Sequence, residues 1–506
     1  MTRSILEPMY APLDWRDEYA DNPFIQALGE PLEPDELREK LVIDPGVPRG
    51  SRILSPTRRQ HVVQSISNCF FPRTADLELG IQMDIMLRCG YLPRNPTAPG
   101  YQRFLNTVAK NAVARFTSPF TGELGSSSYP CFLVYGPSGN GKTTGLKRVA
   151  AAIAAIFIKH DRYRGSPLSL VQIPIVHFSC PPDGSPRGVV LAFLQAVDTI
   201  TGVTTYFQQY SGSKNTAASL VGTMAQIIAT FGIGLLVVDE IHHLANYRRG
   251  GGADESLDFL VKLSNCLQVP MVLAGTYRAI TFLEKRFQNA RRACEMGSLE
   301  YGLAAGANDK AWRKGFLESL WKYQWTKESL RLDDEVAHKY FALTQSVASV
   351  DVLLFKLVQQ RAARQGAKSV TMTDFVSVFA QKLRPLHKAL NALSRRHTDT
   401  DALADYEDLR PPPRELAGLW ASAPGSDGAA IAPPAAKAPD QAAKPAKSVK
   451  PSTPAKRGSS PKGRAGAETG DPDDLRGAVV GQDRLEALRQ KKAMGIDPSL
   501  RLPGKK

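Results

Sequence analysis

Nine consecutive residues carry the densest chemistry in this sequence: Gly136, Pro137, Ser138, Gly139, Asn140, Gly141, Lys142, Thr143 and Thr144. They match G-x-x-x-x-G-K-[ST] in full, follow the apolar run CFLVY and open the helical run TGLKRVAAAIAAIF. That strand-to-helix setting is the one a phosphate-binding loop requires. Glycines let the backbone curl so that successive N–H groups face phosphate oxygens, and the helix N-terminus adds about half a positive charge. Lys142 is expected at the β and γ phosphates of ATP, and the Thr143 hydroxyl on Mg²⁺.

The apolar run Leu235–Val238 ends in Asp239 and Glu240. Asp239 stands where a carboxylate holds the Mg²⁺ shell, and Glu240 where one orients and polarises an attacking water. A strand ending in two acids is, taken alone, also a solvated strand terminus; its pairing with the upstream loop favours the catalytic reading. A further run, PMVLAGT, ends at Thr276, whose hydroxyl suits either a γ-phosphate sensor or a helix cap. Arg291 and Arg292, then Arg286, are candidates for an arginine supplied across a subunit boundary to the transferring phosphoryl group, or are simply a basic helix surface. His242 and His243 directly follow the acid pair, but adjacent residues are expected to point in different directions, so no metal site is expected there.

These groups need a scaffold. The runs CFLVY, LVQIPIVHF, GLLVV and PMVLAG alternate with helical stretches, which predicts an α/β core over 126–300, a parallel sheet covered by helices. Apolar spacings of three and four in HVVQSISNCFF and LELGIQMDIMLRCGYL predict a helical N-terminal region over 55–125. Helix periodicity returns over 301–398, in DVLLFKLVQQRAARQ and MTDFVSVFAQKL, as a helical lid. Residues 1–54, rich in acids and prolines, read as an extended arm with at most short helices.

From 399 to 506 the expectation is a disordered basic linker ending in a short amphipathic segment around Leu485 and Leu488. Its Pro, Ala, Lys, Ser and Gly cannot bury enough apolar surface to offset the entropy of ordering. Between Lys437 and Arg464 eight basic residues meet one acid, Asp440, a composition for nonspecific nucleic-acid contact or simply for solvation.

Composition narrows the class. The 506 residues carry a net charge of +15, which favours a polyanionic partner. Six scattered cysteines show neither zinc-site pairs nor the density of a small secreted scaffold. No apolar run of about 18 residues is present, and acids and prolines occupy the N-terminus where a signal peptide needs an apolar stretch. A soluble, cytoplasmic protein is expected, with no membrane partner.

With DEIHHL added to these sites, the chain resembles the ATP-dependent target regulators of DNA transposition, the TnsC group and its TniB relatives within the AAA+ ATPases. The resemblance covers about 55–385 and lies in Gly90-Tyr91-Leu92-Pro93-Arg94-Asn95-Pro96, IGLLVVDEIHHL, KLSNCLQVPMVLAGTYRA, QNARRACEMG and Leu320-Trp321-Lys322-Tyr323-Gln324-Trp325. It implies an AAA+ P-loop core and a nucleotide-dependent homo-oligomeric ring or filament on duplex DNA. It also implies a target-selection protein and transposase subunits as partners. Where AAA+ proteins often place a lid arginine, this chain has Ser346-Val347-Ala348-Ser349-Val350-Asp351. Slow hydrolysis is therefore expected, with Lys356 a weak substitute. Lys214, Arg248 and Arg249 sit where ring loops would meet DNA phosphates without reading sequence; solvated loop charges are the other reading. Two further functions fit: a replication initiator or helicase loader, and a nucleotide-locked scaffold with little hydrolysis.

Overall fold

In the computed structural model the described residues are 5–6, 8–117, 129–212, 215–396, 399 and 401–411. Eight strands occur among them: β1 (Ile5–Leu6), β2 (Cys131–Tyr135), β3 (Phe157–Tyr163), β4 (Ser166–Gln172), β5 (Ile175–Ser179), β6 (Leu235–Asp239), β7 (Met271–Gly275) and β8 (Ser298–Glu300). Five form a parallel sheet in the order β5-β6-β7-β2-β8. Its registers pair Val134 with Ala274, and Val238 with both Leu273 and Phe178. β6 and β7 are buried along their whole length, which is why they read as unbroken apolar runs rather than alternating ones.

Pro174 divides the run LVQIPIVHF. β4 stops before it and pairs antiparallel with β3, while β5 begins after it and joins the central sheet. A proline has no N–H to give a ladder. Its carbonyl instead accepts 3.0 Å bonds from the N–H groups of Gly234 and Leu235. Of the helix expected from TGLKRVAAAIAAIF, Lys142–Ile153 forms, and the chain turns at Ala154 into β3.

The N-terminal segment carries short helices, Asp17–Ala20, Pro23–Gln26 and Pro34–Leu41, of the kind allowed for over 1–54. It differs from the expected extended arm in being packed. Leu13, Tyr19, Phe24, Ile25, Leu37 and Leu41 are buried in one core with Leu79, Met83 and Leu87. Asn22 fixes the path, accepting from Phe24 N–H at 3.1 Å and donating to Tyr91 O at 2.9 Å. Isolated apolar residues between prolines carry no helical period, so the sequence conceals this packing.

The long helix Thr74–Tyr91 and the segment after it clamp that layer to the sheet. A Cβ on Gly90 would clash with Gly234 O, so only glycine permits the approach. Tyr91 donates to Gly232 O at 2.6 Å, and buried Arg94 donates to Ile233 O at 2.6 Å and Gly90 O at 2.7 Å. The GYLPRNP stretch is thus a structural anchor.

From 311 onward the chain is helical and has its own core. Helices Asp334–Thr344 and Ala348–Gln365 meet at 113°, and Trp321 stacks on Phe375 with ring centres 5.6 Å apart. Trp321, Tyr340, Phe355 and Phe375 are buried together, so the aromatic run Leu320–Trp325 builds this core. Among the described residues no single helix is long and apolar enough to cross a membrane.

The chain does not enter a disordered tail at 399. Residues 401–411 fold back on the body through turns, and Leu403 is buried. The basic linker and the amphipathic segment around Leu485 and Leu488 lie outside the described residues.

Candidate nucleotide site

β2 delivers the chain to Gly136, whose φ of +150° and contact with Tyr301 O leave no room for a Cβ. Gly139 and Gly141 follow with φ of +77° and +87°, the alternation that turns backbone N–H groups into an anion-binding hollow. Gly141 caps the helix Lys142–Ile153 without a side-chain bond, so the first-turn amides keep their capacity for a ligand. Lys142 is 8% exposed and donates 2.8 Å bonds to Gly136 O and Pro137 O. Burial pushes its ammonium down to about 8, against the fields of Glu240, Asp239 and Asp408. Thr144 is exposed on the same first turn.

β6 carries the acid pair to this loop. Thr143 donates to Asp239 Oδ2 at 2.7 Å, and Glu240 N–H to Asp239 Oδ1 at 2.8 Å. Burial alone would raise the Asp239 carboxyl, but these bonds and His177, 3.5 Å away, bring it below the usual range. Glu240 is the reverse: burial and then the Asp239 charge push it up, as expected where two carboxylates compete for ionisation. Its backbone is left-handed, with φ +57°, a costly conformation for a non-glycine residue. The side chain stays 40% exposed.

Thr276 directly follows β7, the strand next to β6. It is 6% exposed, forms no side-chain cap on the following helix Tyr277–Leu283, and its Oγ1 has no hydrogen-bond partner. The capping alternative therefore does not hold. A buried orphan hydroxyl is costly unless a ligand satisfies it.

The histidines depart from expectation. Their rings lie 4.5 Å apart, and ligand atoms of Glu240, His242 and His243 fall within 4.8 Å of one another. His242 Nδ1 is 3.1 Å from Glu240 Oε2, while His243 Nδ1 lies 3.2 Å from Cys180 O. Burial and the neighbouring His243 push His242 down to about 4, which keeps the ring neutral.

Asn140 belongs to the loop by sequence, but its side chain turns away from it. Nδ2 donates to Tyr301 O at 2.8 Å and Gly302 O at 2.7 Å, and Oδ1 accepts from Ala348 N–H at 3.3 Å. Ser349 N–H donates to Gly139 O at 3.0 Å. Asn140 thus ties the loop to the start of helix Ala348–Gln365. Arg73, which no motif marks, donates to Asn140 O at 2.7 Å and sits over the Tyr301 ring at 5.1 Å. It lies 67 residues upstream of its partner, beyond the reach of any spacing rule.

Other candidates stand apart. Arg286 is held by Asp254 at 2.7 Å and Asp258 at 3.2 Å within its own chain, which removes it as a free arginine. Arg291 is exposed and Arg292 half-buried on the helix Phe287–Ala293, and neither forms an ion pair among the described residues. Lys356 donates to Ser67 at 2.9 Å and so does not substitute for a lid arginine. Arg248 and Arg249 are exposed beyond the Ile241–Asn246 turn, and Lys214 lies outside the described residues.

The donor set fits a nucleotide with a hard cation. The Thr143 hydroxyl and Asp239 carboxylate are adjacent oxygen ligands of the kind Mg²⁺ takes together with phosphates, and the orphan Thr276 hydroxyl awaits a partner.

The AAA domain family matches residues 126–283. No curated protein sequence matches the chain significantly. Similar solved structures include the Walker-type ATPase PABY2304 of Pyrococcus abyssi, with TM-score 0.33 and 12% identity over 53% of this chain and 71% of that one. A RuvB variant of Thermotoga maritima gives TM-score 0.28 and 15% identity over 61% and 85%. The segment 126–283 is accordingly similar to the AAA domain family, and it contributes β2, β5, β6 and β7 to the parallel sheet, with the glycine-rich loop leaving the C-terminal end of β2.

Proposed function

We propose that the chain is a slow, ATP-dependent, DNA-binding oligomeric regulator that marks target DNA and activates a transposase. The observation that carries its nucleotide half is the Thr143–Asp239 bond beneath the loop, with Glu240 beside it. The transposition half rests on the order of the TnsC-like stretches around that site, and the DNA contact on exposed Arg248 and Arg249.

In this reading the amides of residues 138–144 and the Lys142 ammonium hold the phosphates, while Thr143 and Asp239 hold Mg²⁺. The cation would spread the charge of the phosphates. Glu240 orients water and takes its proton, and its raised carboxyl pKa makes it a better base than an ordinary glutamate. Thr276 donates or accepts at the bound phosphate or water, and Arg291 or Arg292 serves the site of an adjoining subunit. The absence of any lid arginine at 346–351, together with the placement of Lys356 on Ser67, supports slow turnover. ATP occupancy then selects the assembled state and hydrolysis releases it.

The test is assembly on mixed-sequence duplex DNA, imaged with ATP, with ADP and without nucleotide, using the wild type and an Arg248→Glu/Arg249→Glu variant. Ordered assemblies only with ATP, weakened in the variant, support the reading. DNA binding that ignores nucleotide overturns it. ATP-dependent assembly with no transposase gene beside this one in its genome, or with a neighbouring transposase that the assembly does not stimulate, overturns the transposition half alone.

A further inference from the structure

Residues 401–411 return from the last helix to the nucleotide loop. Tyr406 N–H donates to Leu403 O at 3.0 Å, and Leu409 N–H and Arg410 N–H to Tyr406 O at 2.9 Å. Leu403 is 3% exposed within the helical core, and Tyr406 and Leu409 pack against the same core. At the far end, Ser138 N–H, a loop amide, donates to Asp408 O at 3.3 Å. Glu407 Oε2 lies 3.2 Å from Arg278 Nε, and Arg278 donates to Asn246 Oδ1 at 3.2 Å in the turn after Glu240. The Asp408 charge also reaches Lys142. Across this segment Asp401, Asp405, Glu407 and Asp408 are opposed only by Arg410.

We propose that this acidic segment competes with nucleotide from within the chain, occupying the Ser138 amide and the approach to Lys142 until a triphosphate displaces it. The proposal rests on the nucleotide-binding reading of the loop. The Asp408 carbonyl oxygen on a loop amide and the Asp408 charge acting on the loop lysine supply, in weaker form, the interactions that phosphate oxygens make. Both occupants cannot stay, because triphosphate and carboxylates repel at short range.

The hold is strong at one end and weak at the other. The Arg278–Glu407 side chains are 34% and 72% exposed, and such pairs contribute little. The bond to Asp408 O is long at 3.3 Å. Leu403, by contrast, is rooted in the helical core with Tyr406 and Leu409 half-buried against it, so displacement lifts the Glu407–Asp408 turn off the loop without unfolding the body. Nucleotide arrival is thereby converted into release of the stretch that leads to the C-terminal tail.

The test uses the full chain with a fluorescent ADP and a non-hydrolysable ATP analogue. The variants are Glu407→Gln/Asp408→Asn, which keeps size and removes charge, and Lys142→Ala as the binding control. The double variant is expected to bind nucleotide about three- to tenfold more tightly at low salt, with the gap closing as screening rises. Hydrogen exchange over 401–411 should accelerate when nucleotide is added. Lys142-sensitive binding that is equal or weaker in the double variant, or 401–411 becoming better protected with nucleotide, overturns the competitor role alone. Binding insensitive to Lys142→Ala in every variant overturns the nucleotide reading and this proposal with it.

Discussion

At the scale of single residues, the Thr276 hydroxyl is the buried orphan at the candidate site: 6% exposed, with no hydrogen-bond partner. A residue kept only for packing would lose nothing as valine, and removing an unsatisfied hydroxyl can even stabilise. Thr276→Val is therefore expected to leave the thermal midpoint unchanged or slightly raised and to lower ATP turnover by about tenfold or more. A calorimetric scan beside a turnover assay checks both halves. A large stability loss with turnover intact would assign Thr276 to the core. The loop residues and the acid pair were legible in the sequence because their chemistry lies within a few consecutive positions. Arg73, Arg278 and the outward turn of Asn140 were not, because each takes its role from a partner distant in the chain.

Elements set the next level, and the helix Ala348–Gln365 is the most informative. Asp351, in its first turn, is fully buried; Trp312 Nε1 donates to its Oδ2 at 2.9 Å, while its Oδ1 has no partner. Burial pushes its carboxyl up to about 7 from an ordinary 3.8. With the folded pKa above the unfolded one, the folded state binds the extra proton. Stability contributed by the protonated carboxyl is present below about pH 4 and lost as pH rises through about 7. Asp351→Asn keeps an acceptor for Trp312 and removes the titration. Its melting midpoint should match wild type near pH 4 and exceed it near pH 8 by on the order of 5 °C. Parallel pH profiles of the two proteins would contradict this burial cost. The sequence displayed this helix through its period, but not the buried acid, since an Asp near a helix start reads equally well as a dipole partner. Pro174 shows the same limit for strands: the apolar run was visible, and its division between two sheets was decided by a proline whose consequence depends on the neighbouring strand.

At the scale of the whole molecule, the candidate nucleotide site among the described residues is built entirely from positions up to 411. Truncation after Pro411 is expected to leave nucleotide binding and assembly at wild-type levels, checked by titration and by light scattering, while reducing recruitment of a protein partner. Loss of nucleotide binding would place part of the site in the tail. DNA affinity, for its part, should fall steeply with salt, because a net charge of +15 is spread over loops and tail without a base-reading motif. A preference above about a hundredfold for one sequence in competition would contradict it, given ratios of ~10³ or more for specific readers. The central claim is tested most directly by measuring ATP binding and ATP turnover together for wild type, Lys142→Ala and Glu240→Gln. Lys142→Ala removes the loop cation and should lose both. Glu240→Gln keeps Thr143 and Asp239 in place and should bind ATP as wild type while turnover drops by about a hundredfold. Wild-type turnover in Glu240→Gln, or equal loss of ATP binding in the two variants, would contradict the account.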